Sequence, residues 1–118
     1  MSYKAGEKLL KNMEMNKQKR LIPILEARVR AYAPKECKEM GQEKLDIFLN
    51  QSYRDALKHG VRKFGEVKAF TFLTFELGLE FYKDADYLEI VDIFNSASSI
   101  DVKLSRAINY YLEEEYRR

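Results

Sequence analysis

The chain has 118 residues, 46% hydrophobic and 34% charged, with a formal net charge of +2. That length suits one domain with one continuous core, and no run of about eighteen uncharged apolar residues is present to suggest a membrane span. The lone cysteine, Cys37, excludes an intramolecular disulfide, and the opening residues lack a secretory signal pattern, so the expected setting is cytoplasmic.

The small net charge conceals an asymmetry. Residues 1–38 hold ten Lys or Arg against four Asp or Glu, whereas residues 39–118 hold eleven against fifteen. Such a chain can orient a partner of mixed charge, or lay its basic segment against its own acidic remainder. Nothing reads as an interdomain linker, a repeat or a low-complexity tract, so residues 1–16 are read as a polar N-terminal extension and 17–118 as a single helical domain.

A first clear helix is predicted over about residues 17–32, where Leu21, Ile24 or Leu25, Val29 and Tyr32 recur at three- and four-residue spacing. Pro23 either lies in the first turn of a helix starting near Leu21 or kinks a longer one. Pro34 either ends this element or opens a short one through Met40, and Gly41 punctuates it. The next helix runs from Gln42 to His59, with Leu45, Phe48 or Leu49, Ser52, Tyr53, Ala56 and Leu57 on one face. Gly60 supplies its left-handed stop.

The strongest fold signal is an aromatic-rich helix over about Val67 to Tyr82. One stripe contains Val67, Phe70, Leu73 or Thr74, Leu77 and Phe81, and a second contains Phe72, Phe75, Leu79 and Tyr82. Two apolar stripes require neighbours on more than one side, which makes this the expected core helix. Asp86 with Glu89, and Ser98 with Asp101, read as capping boxes opening two further helices. The terminal Tyr116, Arg117 and Arg118 are expected to fray. The fold class is therefore all-α, a compact bundle of four to six helices around the aromatic-rich one.

Chemical motifs are sparse. His59 could act as a general base, but it stands at a predicted helix end, where a structural or dipole-facing imidazole is the simpler reading. Asp84, Asp86 and Glu89, or Glu76 and Glu80, could meet a hard cation only if another element converged on them. They lack a Glu-x-x-His or calcium-loop pattern, and capping or solvation is the simpler role. There is no glycine-rich phosphate loop, nucleophile elbow or zinc-type Cys/His set. No catalytic residue, metal or cofactor is therefore assigned.

Two surface sets remain. Lys17, Lys19, Arg20, Arg28 and Arg30 could form a basic patch for phosphate, although the modest overall charge argues against a nucleic-acid partner. Tyr82, Tyr87, Tyr110 and Tyr116 are candidates for a protein interface, because tyrosine combines apolar area with a polar tip.

Residues 53–95, YRDALKHGVRKFGEVKAFTFLTFELGLEFYKDADYLEIVDIFN, carry Ala56 with His59 and Gly60, then Leu77 with Gly78 and Phe81, then Asp84 with Asp86. In this pattern the segment resembles a small helical bacterial family often encoded beside contact-dependent, type VI-like secretion systems. It departs from that family's pattern around Lys63 to Glu66 and at Tyr87. The resemblance implies an accessory, adaptor or immunity-like role through contact with a secreted effector or secretion component, and brings no catalytic set. The sequence thus points to a protein-interaction module, with homo-oligomerisation as a further use of the same patch. A nucleic-acid-binding helical protein using the basic segment, and a small enzyme using His59, are the alternatives.

Overall fold

A computed structural model describes the backbone of residues 3–117 and the side chains of residues 8, 9, 11–13 and 15–117. The described residues are all-α, with six α-helices, two single-turn 3-10 segments and no strand. They fall into two compact units, Met1–Gln51 and Ser52–Arg118.

In the first unit, α1 (Tyr3–Tyr32) runs through Pro23 without a break. The proline removes the amide that would bond the Lys19 carbonyl, but both residues are exposed, where water can satisfy that oxygen. A helix starting near Leu21 is therefore not what forms. Residues 3–16 of the expected extension make the first half of α1, while Met1 and Ser2 lie outside the described residues.

Pro34 occupies the first turn of α2 (Pro34–Met40), where its missing N–H costs no helical bond, and Gly41 closes the helix at φ 84°. The chain then enters α3 (Gln42–Lys58) directly. Gln42 joins α3 to α1: its carbonyl accepts from Arg30 at 2.8 Å and its amide donates to Glu26 at 2.9 Å. Gln18 donates to Asn50 at 2.7 Å between the same helices. Leu25, Val29, Ala33, Leu45 and Leu49 are buried, as is Cys37, whose thiol burial pushes above its usual pKa.

The second unit begins within α3. Gly60, at φ 87°, turns the chain out of that helix, as its place after the last apolar position predicts. The aromatic-rich helix, α4 (Phe64–Leu77), is shorter than the stripes suggest. Its start is set by the Glu66 carboxylate, which accepts from the Lys63 amide at 3.3 Å. It stops at Gly78, φ 103°, and Glu80 follows in the left-handed region at φ 60°. Phe81 and Tyr82 thus belong to a 3-10 turn (Phe81–Lys83) that folds back, not to the helix. Phe81 is nevertheless fully buried, so the expected inward position is met by a different backbone path.

A second 3-10 turn (Ala85–Tyr87) leads into α5 (Leu88–Asn95), and α6 (Ile100–Arg117) ends the described chain. The expected capping boxes are corrected here. Asp84, not Asp86, caps the turn, its carboxylate accepting from the Asp86 amide at 2.9 Å, and α5 opens after Tyr87 without a side-chain cap. At α6 it is Ser99, not Ser98, whose hydroxyl donates to Asp101. Tyr116 and Arg117 are still within α6, and the expectation for Arg118 lies outside the described residues.

The unit's core is an aromatic cluster. Phe70 lies 5.3 Å from Phe81 and 6.3 Å from Phe94, ring centre to ring centre, and Phe81 lies 5.3 Å from Phe94. Beside it is a buried hydroxyl set: Ser52 reaches Thr74 at 3.3 Å and Thr71 at 3.5 Å, and Thr74 donates to the Phe70 carbonyl at 2.8 Å. Threonine on a helix can return its hydroxyl to the preceding turn in this way, so these polar side chains are buried without an unmet bond.

Candidate functional site

Within the Ser52–Arg118 unit, described residues line three concave regions. The first is a cleft of about 380 Å³ where the end of α4, the Ala85–Tyr87 turn, α5 and α6 meet. Tyr87, Tyr110 and Tyr111 line it, together with Glu76, Asp86, Glu114 and Glu115. Helical spacing explains half of this arrangement, since Tyr110 and Glu114, and Tyr111 and Glu115, are each one turn apart on α6.

The tyrosines have different roles. Tyr111 is a structural tie: its hydroxyl donates to Glu76 at 2.6 Å, and its ring meets Phe72 edge-on at 5.8 Å. These contacts fasten α6 to α4. Tyr87 and Tyr110 are half-buried in the same cleft, with part of each side chain open to solvent. Desolvation pushes the Tyr110 phenol above its ordinary pKa, and the nearby carboxylates of Glu114 and Glu89 act in the same direction. Its hydroxyl therefore keeps its proton at neutral pH and can donate as well as accept.

Tyr110 also lines a second cleft of about 470 Å³, shared with Asp92, Ile93, Arg106, Asn109 and Glu113. One half-buried tyrosine thus stands between two concavities on the α5–α6 face, the acidic one on one side and a mixed-charge one on the other. Exposed Leu88 and Leu112 belong to the same two helices.

The third concavity, about 350 Å³, contains His59 with Asp55, Lys58, Glu80, Tyr82, Lys83 and Phe94. His59 Nδ1 lies 3.0 Å from the Asp55 carbonyl, which can only accept, so that nitrogen carries a hydrogen. The ring packs edge-on against Tyr82 at 4.1 Å and lies 5.6 Å from Phe70. Tyr82 shares this concavity with the buried Asp55 carboxylate, and its phenol is pushed up to about 12, chiefly by desolvation and then by the charges of Asp55 and Glu80. These contacts make His59 and Tyr82 the outer layer of the aromatic core.

The sequence-derived candidates are distributed accordingly. Tyr87 and Tyr110 come together in the acidic cleft, Tyr82 lies in the His59 concavity, and Tyr116 is 96% exposed near the end of α6. Lys17, Lys19, Arg20, Arg28 and Arg30 all lie on α1. At about 100° per residue, Lys17, Arg20 and Arg28 share one side of the helix and Lys19 and Arg30 the opposite side, so the five do not make one stripe. Arg30 is also engaged with Glu26 at 3.1 Å. No group of three His, Cys, Asp or Glu side chains suited to a metal ion occurs among the described residues. None of their helices is long and apolar enough to cross a membrane. Of the carboxylates in the Tyr110 cleft, Glu76 and Asp86 stand out in the sequence only as possible cation ligands, and Glu114 and Glu115 belong to no motif. Their signal was the repeated Tyr-to-Glu spacing of one turn along α6.

No protein-family model, curated protein sequence or solved structure matches this chain.

Proposed function

We propose that the protein is an interaction module that binds another protein through the α5–α6 face centred on Tyr110. The observation that carries this reading is the meeting of Tyr87 and Tyr110, from separate elements, in one carboxylate-rimmed cleft. A half-buried tyrosine is preorganised by its packing and loses little side-chain entropy on binding, while its open edge and hydroxyl remain available. Charged rims around such anchors favour correct orientation more than they add affinity. A secretion component or secreted effector is the partner class that the resemblance of residues 53–95 suggests, in keeping with an adaptor or immunity-like role.

The test compares proteins captured from the native host by the tagged chain and by its Y87A/Y110A variant. At least one protein retained by the original chain is expected to fall about tenfold or more with the variant, whose thermal unfolding should stay close to that of the original. Identical captured sets from two equally folded proteins would remove the support for this face.

A further inference from the structure

The occupant chemistry of the acidic cleft can be argued from the chain itself. The cleft combines Tyr87 and Tyr110 with Asp86 and Glu114, and its volume of about 380 Å³ accepts a few projecting side chains, not a whole helix. It therefore suits a helix that presents cationic and flexible apolar side chains together.

The stretch of α1 over residues 9–20 has that composition. Leu9 is 61% and Met13 58% exposed, and they stand one turn apart on a helix that continues for 30 residues. At about 100° per residue, Arg20 falls on the same side as this pair and Lys17 on its flank. Lys8, Lys11 and Lys19 are exposed on the remaining surface. Unbranched methionine adapts to irregular aromatic surfaces, and lysine and arginine lay their stems along tyrosine rings while their heads meet carboxylates. The basic first third of the sequence and its acidic remainder are opposite in sign, as such a contact requires.

We propose that a second copy of this chain supplies the occupant: residues 9–20 of α1 of one molecule dock in the Tyr87–Tyr110 cleft of the next. This deepens the docking reading of the α5–α6 face, on which it rests, by naming the partner. The contact joins unlike surfaces, so it is head-to-tail and can propagate instead of stopping at a dimer. It is also electrostatic and weakens with salt.

Sedimentation of the full chain over a range of concentrations tests this directly. Mass should rise with concentration at about 0.05 M salt, and the apparent association constant should fall about tenfold or more at about 0.5 M. K17E/R20E reverses this face of the helix and D86K/E114K cancels the charge of the cleft, so each variant alone should remain monomeric. Mixing the two should restore association, because the unaltered helix of one then meets the unaltered cleft of the other; that recovery also reports that both variants are folded. A chain that stays monomeric at low salt, variants that associate as well alone as the original, or a mixture no larger than its components would each overturn the inference. A monomeric chain that still captures another protein in a Tyr87- and Tyr110-dependent way would overturn self-docking while leaving the docking face intact.

Discussion

Replacing Phe70 with alanine is expected to lower the unfolding free energy of the Ser52–Arg118 unit by about 3–5 kcal/mol. Phe70 is fully buried and lies within 6.3 Å, centre to centre, of His59, Phe81, Tyr82 and Phe94. Alanine removes the ring that these four share and leaves a cavity. The Thr74 hydroxyl bond to the residue-70 carbonyl fixes the local backbone, which limits collapse into that space. Small domains have only about 5–15 kcal/mol in total, so the loss should bring the unit close to its folding threshold. Urea unfolding followed by circular dichroism measures it. Phe64→Ala is the comparison, because that ring is only half-buried and carries Lys68 Nζ 5.3 Å from its centre. It should cost distinctly less, and equal losses would contradict the central place given to Phe70.

Tyr82 should make the same unit sensitive to alkali. The phenol is raised from 10.0 to about 12 by desolvation, with Asp55 and Glu80 adding to the effect. A group whose folded pKa is raised contributes its full stability below the unfolded value and loses it as pH rises through the folded value. Stability is therefore expected to fall between pH 10 and about 12, over and above the trend from other tyrosines and lysines. Tyr82→Phe should remove that portion of the slope. Thermal melts of both proteins across the alkaline range provide the measurement. Parallel pH profiles for the two would contradict the Asp55–Tyr82 account.

These two expectations rest on different levels of what the sequence reveals. The inward position of Phe70 follows from helical periodicity, and the stops at Gly41 and Gly60 follow from the freedom of glycine to adopt positive φ. The same rule applied to Gly78 would have ended the aromatic helix there. The continuing stripe through Phe81 and Tyr82 overrode it, because periodicity does not distinguish a helix from a chain that folds back to bury the same residues. The placing of Asp55 beside Tyr82 and the Ser52, Thr71 and Thr74 set depend on tertiary contacts that have no local pattern.

The candidate face was legible in part for the same reason. Tyr110 could be marked as a surface anchor from composition and chemistry, and Glu114 lies one turn beyond it on α6. That Tyr87 and Asp86 would complete the cleft depended on the two 3-10 turns between α4 and α5, whose path follows from Gly78 and Glu80. Charge counting located a basic segment but not its faces, and the uninterrupted run of α1 through Pro23 sets those.

Photo-crosslinking from position 110 tests the docking face most directly. A photoreactive phenylalanine analogue in place of Tyr110 in the full chain, irradiated in the native host, should give a discrete protein adduct. The same group at exposed Lys44 on α3 should give little of it. The adduct should contain either a second copy or one other protein, and it should diminish when Tyr87 is also replaced by alanine. No adduct from position 110, or the same adduct at equal yield from position 44, would contradict the assignment of this face as the docking surface.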